Sequence, residues 1–112
     1  DDMREAPSLV IINKLLEAGA KVKAYDPVAT KEAKRILGDK IEYGQDQYDV
    51  LIDADALLIA TEWAEFKFPN FAVIKKLLKN PLIFDGRNIY DVSEMKDKGI
   101  SYHCIGVQTK NP

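Results

Sequence analysis

The chain has 112 residues, 46% hydrophobic and 30% charged, the composition of one globular domain with a single core. Its formal net charge of −2 and pI near 5.4 lack the basic excess that a nucleic acid or an anionic membrane surface attracts, so neither is an expected partner. Cys104 is the only cysteine, which excludes an internal disulfide and points to a reducing, cytoplasmic setting.

Taken in order, Leu9, Ile12 and Leu16 recur at helical spacing, with Ile11, Leu15 and Ala18 beside them. With Pro7 suited to a first turn and Gly19 to a C-cap, this predicts a helix over about 6–18. "KVKAYDP" reads as a strand of about five residues stopped by Asp26-Pro27, and "ATKEAKRIL" as a helix ended by Gly38. "KIEY" is a short strand closed by Gly44, and "DQYDVLIDA" (46–54) a short helix. "DALLIAT" is the continuous apolar run of a strand covered on both faces. "NFAVIKKLLKN" is a helix with Phe71, Ile74, Leu77 and Leu78 inward, "PLIF" a buried strand, "SEMKDKG" a helical turn and "ISYHCIGV" a last strand.

This alternation predicts an α/β fold, a three-layer α/β/α Rossmann-like arrangement around a mainly parallel sheet, over residues 1–107, with 108–112 as a polar tail. No strand precedes the first helix and "DDMREAPS" opens without a methionine. A longer protein is therefore expected, with the sheet truncated at its N-terminal strand.

Three of the sixteen basic residues are arginines. Arg35 sits mid-helix among lysines and reads as part of a solvated face. Arg4 precedes a helix and Arg87 follows a strand, each beside acids. There a guanidinium either grips a phosphate or carboxylate with two hydrogen bonds or pairs with its neighbouring Asp to hold a loop. Asp26 is better explained as a turn or capping residue than as a ribose ligand. Thr61, Glu62 and Trp63 follow the longest apolar strand and either line a pocket mouth or serve as cap and core. His103 and Cys104 point to opposite strand faces, so they form no nucleophile–base pair, and the strand context of Cys104 predicts a buried, inert thiol. A single histidine makes a metal site unexpected, and no GxGxxG or GxxxxGK loop is present.

Together "DDMREAPS", "AYDP", "LLIATEWAEF" and "IFDGRNIYD" resemble the C-terminal domain of the UDP-glucose/GDP-mannose dehydrogenase family, most nearly its UDP-glucose 6-dehydrogenase branch, from Asp2 to about Gly106. The resemblance implies an enzyme that oxidises the sugar C6 alcohol twice with two NAD. Its N-terminal domain would bind NAD, its central region would carry the nucleophilic cysteine and the homodimer contacts, and the present domain would close over the UDP part of UDP-glucose. It implies that Arg4 reaches towards NAD and that Arg87, with Gly86 and Asp85, contacts the nucleotide sugar. Asp2, Asp85 and Gly86 would orient the arginines and let the backbone approach, with Thr61 and Glu62 in support. No catalytic residue falls within the chain on this reading. The rival readings are a receiver-type phospho-signalling module and a relative acting on UDP-N-acetyl sugars.

Overall fold

Helices and strands alternate along the chain in the computed structural model, which describes residues 7–105. The order is α1 (Pro7–Glu17), β1 (Lys23–Ala24), α2 (Thr30–Leu37), β2 (Glu42–Tyr43), β3 (Leu57–Ile59), α3 (Phe71–Leu77), β4 (Leu82–Asp85), α4 (Val92–Asp97) and β5 (Ser101–Cys104). Each hydrogen-bonded strand pair is parallel, as the helix between its members allows, and the fold is α/β of the Rossmann-like kind. They pair as two sheets, β1–β2 and β3–β4–β5, where the alternation had suggested one. The chain correspondingly divides into two compact units between Val50 and Leu51.

In the first unit, α1 turns Ile12 inward and α2 turns Leu37, and both pack with Ile41. Leu9, Leu16 and Ile36 border this cluster, on the helical spacing read from the sequence. Gly19 follows α1 at φ 89, a left-handed conformation that favours glycine, so the helix stops where its apolar face runs out. Asp26 follows β1 and holds the turn that leads into α2: its Oδ1 accepts from the backbone N–H groups of Val28 and Ala29, each at 2.8 Å. The turn explanation of Asp26-Pro27 therefore holds, while the N-cap position of α2 is taken by Ala29, with no side-chain cap bond. Arg35 is exposed on α2 and ion-paired to Glu32 at 2.6 Å, the solvated face expected of it.

The helix expected over 46–54 is reduced to a 3-10 turn at Asp49–Leu51. Two local causes are visible. The Asp46 carboxylate accepts from Tyr48 N–H and Asp49 N–H at 2.8 Å, offering the backbone an alternative to helical bonds. Asp53 then takes φ 59, which no helix tolerates.

In the second unit, α3 buries Ile74 and Leu78 and is capped by Asn70, whose Oδ1 accepts from Val73 N–H at 3.2 Å. α4 buries Met95 and is capped by Asp91 through Glu94 N–H at 2.9 Å. β4 lies between β3 and β5, and its Ile83 is fully buried. The register sets Ile59, Asp85 and Cys104 in one row at the carboxyl ends of the three strands. Thr61, Glu62, Gly86 and Arg87 all follow that row. The carboxyl edge of a parallel sheet is where ligands of α/β proteins bind.

Candidate functional site

The turn after β4 is organised from below by one carboxylate. Asp85 is fully buried, and a buried carboxylate needs its lone pairs filled. Oδ1 accepts from the N–H groups of Arg87 and Asn88, both at 2.8 Å. Oδ2 accepts from Ile89 N–H at 2.9 Å and from the Tyr102 hydroxyl at 2.6 Å. Three consecutive amides folded over one carboxylate force a tight turn. Asn88 accommodates it at φ 59, a left-handed conformation that asparagine tolerates better than most residues.

Gly86 brings the backbone of the turn close to its neighbouring strand. Its φ is not positive; instead its N–H donates to the Ile59 carbonyl at 2.8 Å, and a Cβ there would stand 3.2 Å from that same oxygen. Glycine lets the start of the turn lie against the end of β3. Ile105 N–H in turn donates to the Asp85 carbonyl at 3.0 Å, so the turn is stitched to its neighbours on both sides.

The Arg87 side chain leaves this turn towards solvent and meets Glu62, with Nη2 3.0 Å from Oε1 and both side chains 46% exposed. Of the two sequence readings, pairing with the neighbouring aspartate is realised only by the Arg87 backbone; the guanidinium goes to an acid twenty-five positions away. An exposed pair of this kind stabilises the fold by about 0–1 kcal/mol, so an incoming anion competes for the guanidinium at little cost. Thr61 is half-buried beside Glu62 and makes no hydrogen bond within the described residues, and no hydroxyl cap is seen on the 3-10 turn Ala64–Phe66. Asp85 was expected among the substrate-contacting groups. With no exposed surface and four donors around it, it instead lies beneath the turn and shapes it. Asp2 and Arg4 lie outside the described residues.

Two tyrosines that the sequence reading passed over complete the site's support. Tyr102 has one hydroxyl proton. The contact to Asp85 is the shorter and is charge-assisted, so the proton goes there, while the oxygen accepts from Tyr90 N–H at 3.2 Å. Burial, and next the hydrogen bond to Asp85, push the Tyr102 hydroxyl well above its ordinary titration range, so it remains a donor. Tyr90 is buried, and its hydroxyl donates to the Phe66 carbonyl at 2.6 Å, tying the turn after β3 to the turn after β4. Its ring meets Phe71 edge-on at 5.0 Å.

Cys104 corrects an expectation: it is exposed rather than buried. β5 lies at the end of the described three-stranded sheet, where strand context does not imply cover on both faces. The Cys104 thiol donates to Asn88 Oδ1 at 3.2 Å, a second link from β5 to the same turn. Among the described residues no group of three His, Cys, Asp or Glu side chains is placed to hold a metal ion. The arrangement presents one guanidinium on a turn held by hydrogen bonds to Asp85. It can bind an anion, and its acids are committed to holding the turn and the arginine.

Residues 1–92 match the UDP-glucose/GDP-mannose dehydrogenase family, UDP binding domain. The chain belongs to this family. It is 49% identical over 106 residues to UDP-glucose 6-dehydrogenase TuaD of Bacillus subtilis, covering 95% of this chain and 23% of that protein. It is 42% identical to UDP-glucose 6-dehydrogenase YwqF of the same organism and 39% identical to the UDP-glucose 6-dehydrogenase of Rhizobium meliloti, in each case over 95% of this chain and 24% of the relative. The UDP-D-ManNAc dehydrogenase of Pyrococcus horikoshii shares the fold, with a TM-score of 0.51 at 21% identity over 88% of this chain and 29% of that one. The chain thus spans about a quarter of the length of the dehydrogenases it matches. The receiver-type reading finds no support in any of these matches. No helix among the described residues is long and apolar enough to cross a membrane.

Proposed function

We propose that this chain is the UDP-binding part of an NAD-dependent UDP-glucose 6-dehydrogenase, the enzyme that converts UDP-glucose to UDP-glucuronate with two NAD. Residues 1–107 form the domain and 108–112 its tail. It works with the NAD-binding and central domains of the same enzyme in a cytoplasmic homodimer that engages neither membrane nor nucleic acid. The observation that carries this reading is the position of Arg87. It stands at the carboxyl end of β4, on a turn shaped by a buried carboxylate, in a chain 49% identical to a UDP-glucose 6-dehydrogenase.

Arg87 is the substrate anchor: its guanidinium leaves the exposed Glu62 and takes the diphosphate side of the nucleotide sugar through charge-assisted hydrogen bonds. Gly86 lets the turn start close against β3, and Asp85 holds the three amides that aim the side chain. Thr61 and Glu62 border the same edge. Arg4, supported by Asp2, belongs to the cofactor side. The chain has no glycine loop to cradle a pyrophosphate, so NAD binding rests on the part of the enzyme outside this chain, and no hydride-transfer step falls to these residues.

The test is Arg87→Ala in the full-length enzyme. Losing a charge-assisted contact worth about 1.5–3 kcal/mol raises KM for UDP-glucose by roughly tenfold to a hundredfold. An unchanged KM refutes the anchor role.

A further inference from the structure

We propose that Tyr102 is a positioning residue for nucleotide-sugar binding, acting on Arg87 through the buried Asp85 carboxylate; the proposal rests on the anchor role of Arg87 given above. Three observations point to it. The turn that carries Arg87 hangs on Asp85, through the amides of residues 87, 88 and 89. Asp85 Oδ2 shares itself between Ile89 N–H and the Tyr102 hydroxyl, and the hydroxyl contact, at 2.6 Å, is the shortest of the four. The Tyr102 oxygen also accepts from Tyr90 N–H, so one hydroxyl ties the carboxylate at the start of the turn to the backbone at its end.

The physical argument concerns orientation. A carboxylate held only by flexible turn amides can rotate about its last torsion and let the turn drift. A hydroxyl delivered from a neighbouring strand removes that freedom. The parallel register pairs Asp85 with Cys104 and Ile83 with Tyr102, so the tyrosine lies one pleat behind the carboxylate and reaches forward to it. Because the phenol stays protonated, it remains a donor at every pH at which the enzyme would work. The Arg87 ion pair itself is exposed and weak, so the aim of the guanidinium depends on the turn more than on Glu62. Pre-set geometry of this kind lowers the ordering cost when a ligand binds.

UDP affinity, measured by titration calorimetry on the full-length enzyme for wild type, Tyr102→Phe, Arg87→Ala and the double variant, tests the idea. Tyr102→Phe keeps the ring and removes the hydroxyl. It is expected to weaken UDP binding by roughly three- to tenfold, and Arg87→Ala by roughly tenfold or more. In the Arg87→Ala background the hydroxyl has nothing left to aim, so the double variant is expected to bind no more weakly than Arg87→Ala alone. Hydrogen exchange at the amides of residues 87–89 supplies a second measurement, expected to quicken in Tyr102→Phe while the other strands are unchanged.

An unchanged affinity in Tyr102→Phe beside a weakened Arg87→Ala overturns the positioning role and leaves the anchor standing. So does a Tyr102→Phe effect that persists in full without Arg87, since it then runs through the fold at large. Unchanged exchange at 87–89 has the same consequence. If Arg87→Ala itself binds UDP normally, the anchor falls and the role of Tyr102 falls with it.

Discussion

Asp26 and Asp85 stand at comparable places, Asp26 two residues past β1 and Asp85 the last residue of β4, and each accepts from backbone N–H groups just ahead of it. Asp26 is half-buried and holds a turn with one oxygen, a local task within four residues. Asp85 is fully buried, uses both oxygens, and adds a tyrosine seventeen positions away. The same residue type at a similar kind of position thus holds a short local turn in one unit and is the foundation of a loop in the other. What separates them is the tertiary partner and the loss of water, and only the second shapes a turn that carries an arginine.

Substitutions can break that contrast. Asp85→Ala is expected to have the largest effect, since it leaves three amides and a hydroxyl without their acceptor. A loss of at least about 3 kcal/mol in urea unfolding is expected, at about 1–3 kcal/mol for each buried donor left unmet, with water relieving part of the total. Asp26→Ala removes a turn acceptor that water can partly replace, for about 0.5–1.5 kcal/mol by the same assay. Equal losses at the two sites would show that burial does not distinguish them.

The smallest expected effect is alkaline. The folded Tyr102 titrates above the unfolded value of about 10, so the neutral form is favoured by folding. Its contribution is therefore full below pH 10 and declines as the pH climbs beyond it towards the folded value. The stability difference between wild type and Tyr102→Phe, measured at pH 8 and pH 11, is expected to shrink at the higher pH. A difference that grows would mean the hydroxyl is not held neutral.

Much of the fold was legible because it is periodic. Leu9, Ile12 and Leu16, or Ile74 and Leu78, fall on one helix face by spacing alone, and the alternation of elements implied parallel strands. The 46–54 segment misled because its apolar spacing is helical while Asp46 and Asp53 bend the backbone locally. In the site, Arg87 stood out as a lone arginine after a strand. Glu62 was picked out as a supporting residue but not as the ion-pair partner of Arg87, and Tyr102 was not picked out at all, since neither is near Arg87 in the chain and no periodic signal joins them. Alternation puts Tyr102 and Cys104 on one face of β5, but only the register with β4 says that this face meets Asp85. Cys104 was misjudged for the same reason: an apolar strand pattern does not reveal whether the strand ends a sheet.

Local chemistry, then, was enough to determine where helices start and stop, which faces are apolar, and that an acid, a glycine and an arginine close the fourth strand. Each of these depends on residues a few positions apart, whose geometry the backbone itself constrains. Which oxygen of Asp85 meets which donor, where the guanidinium points, and whether the lone thiol sees water depend on strand pairing between distant segments. No short-range rule carries that information, so those decisions belong to the tertiary structure.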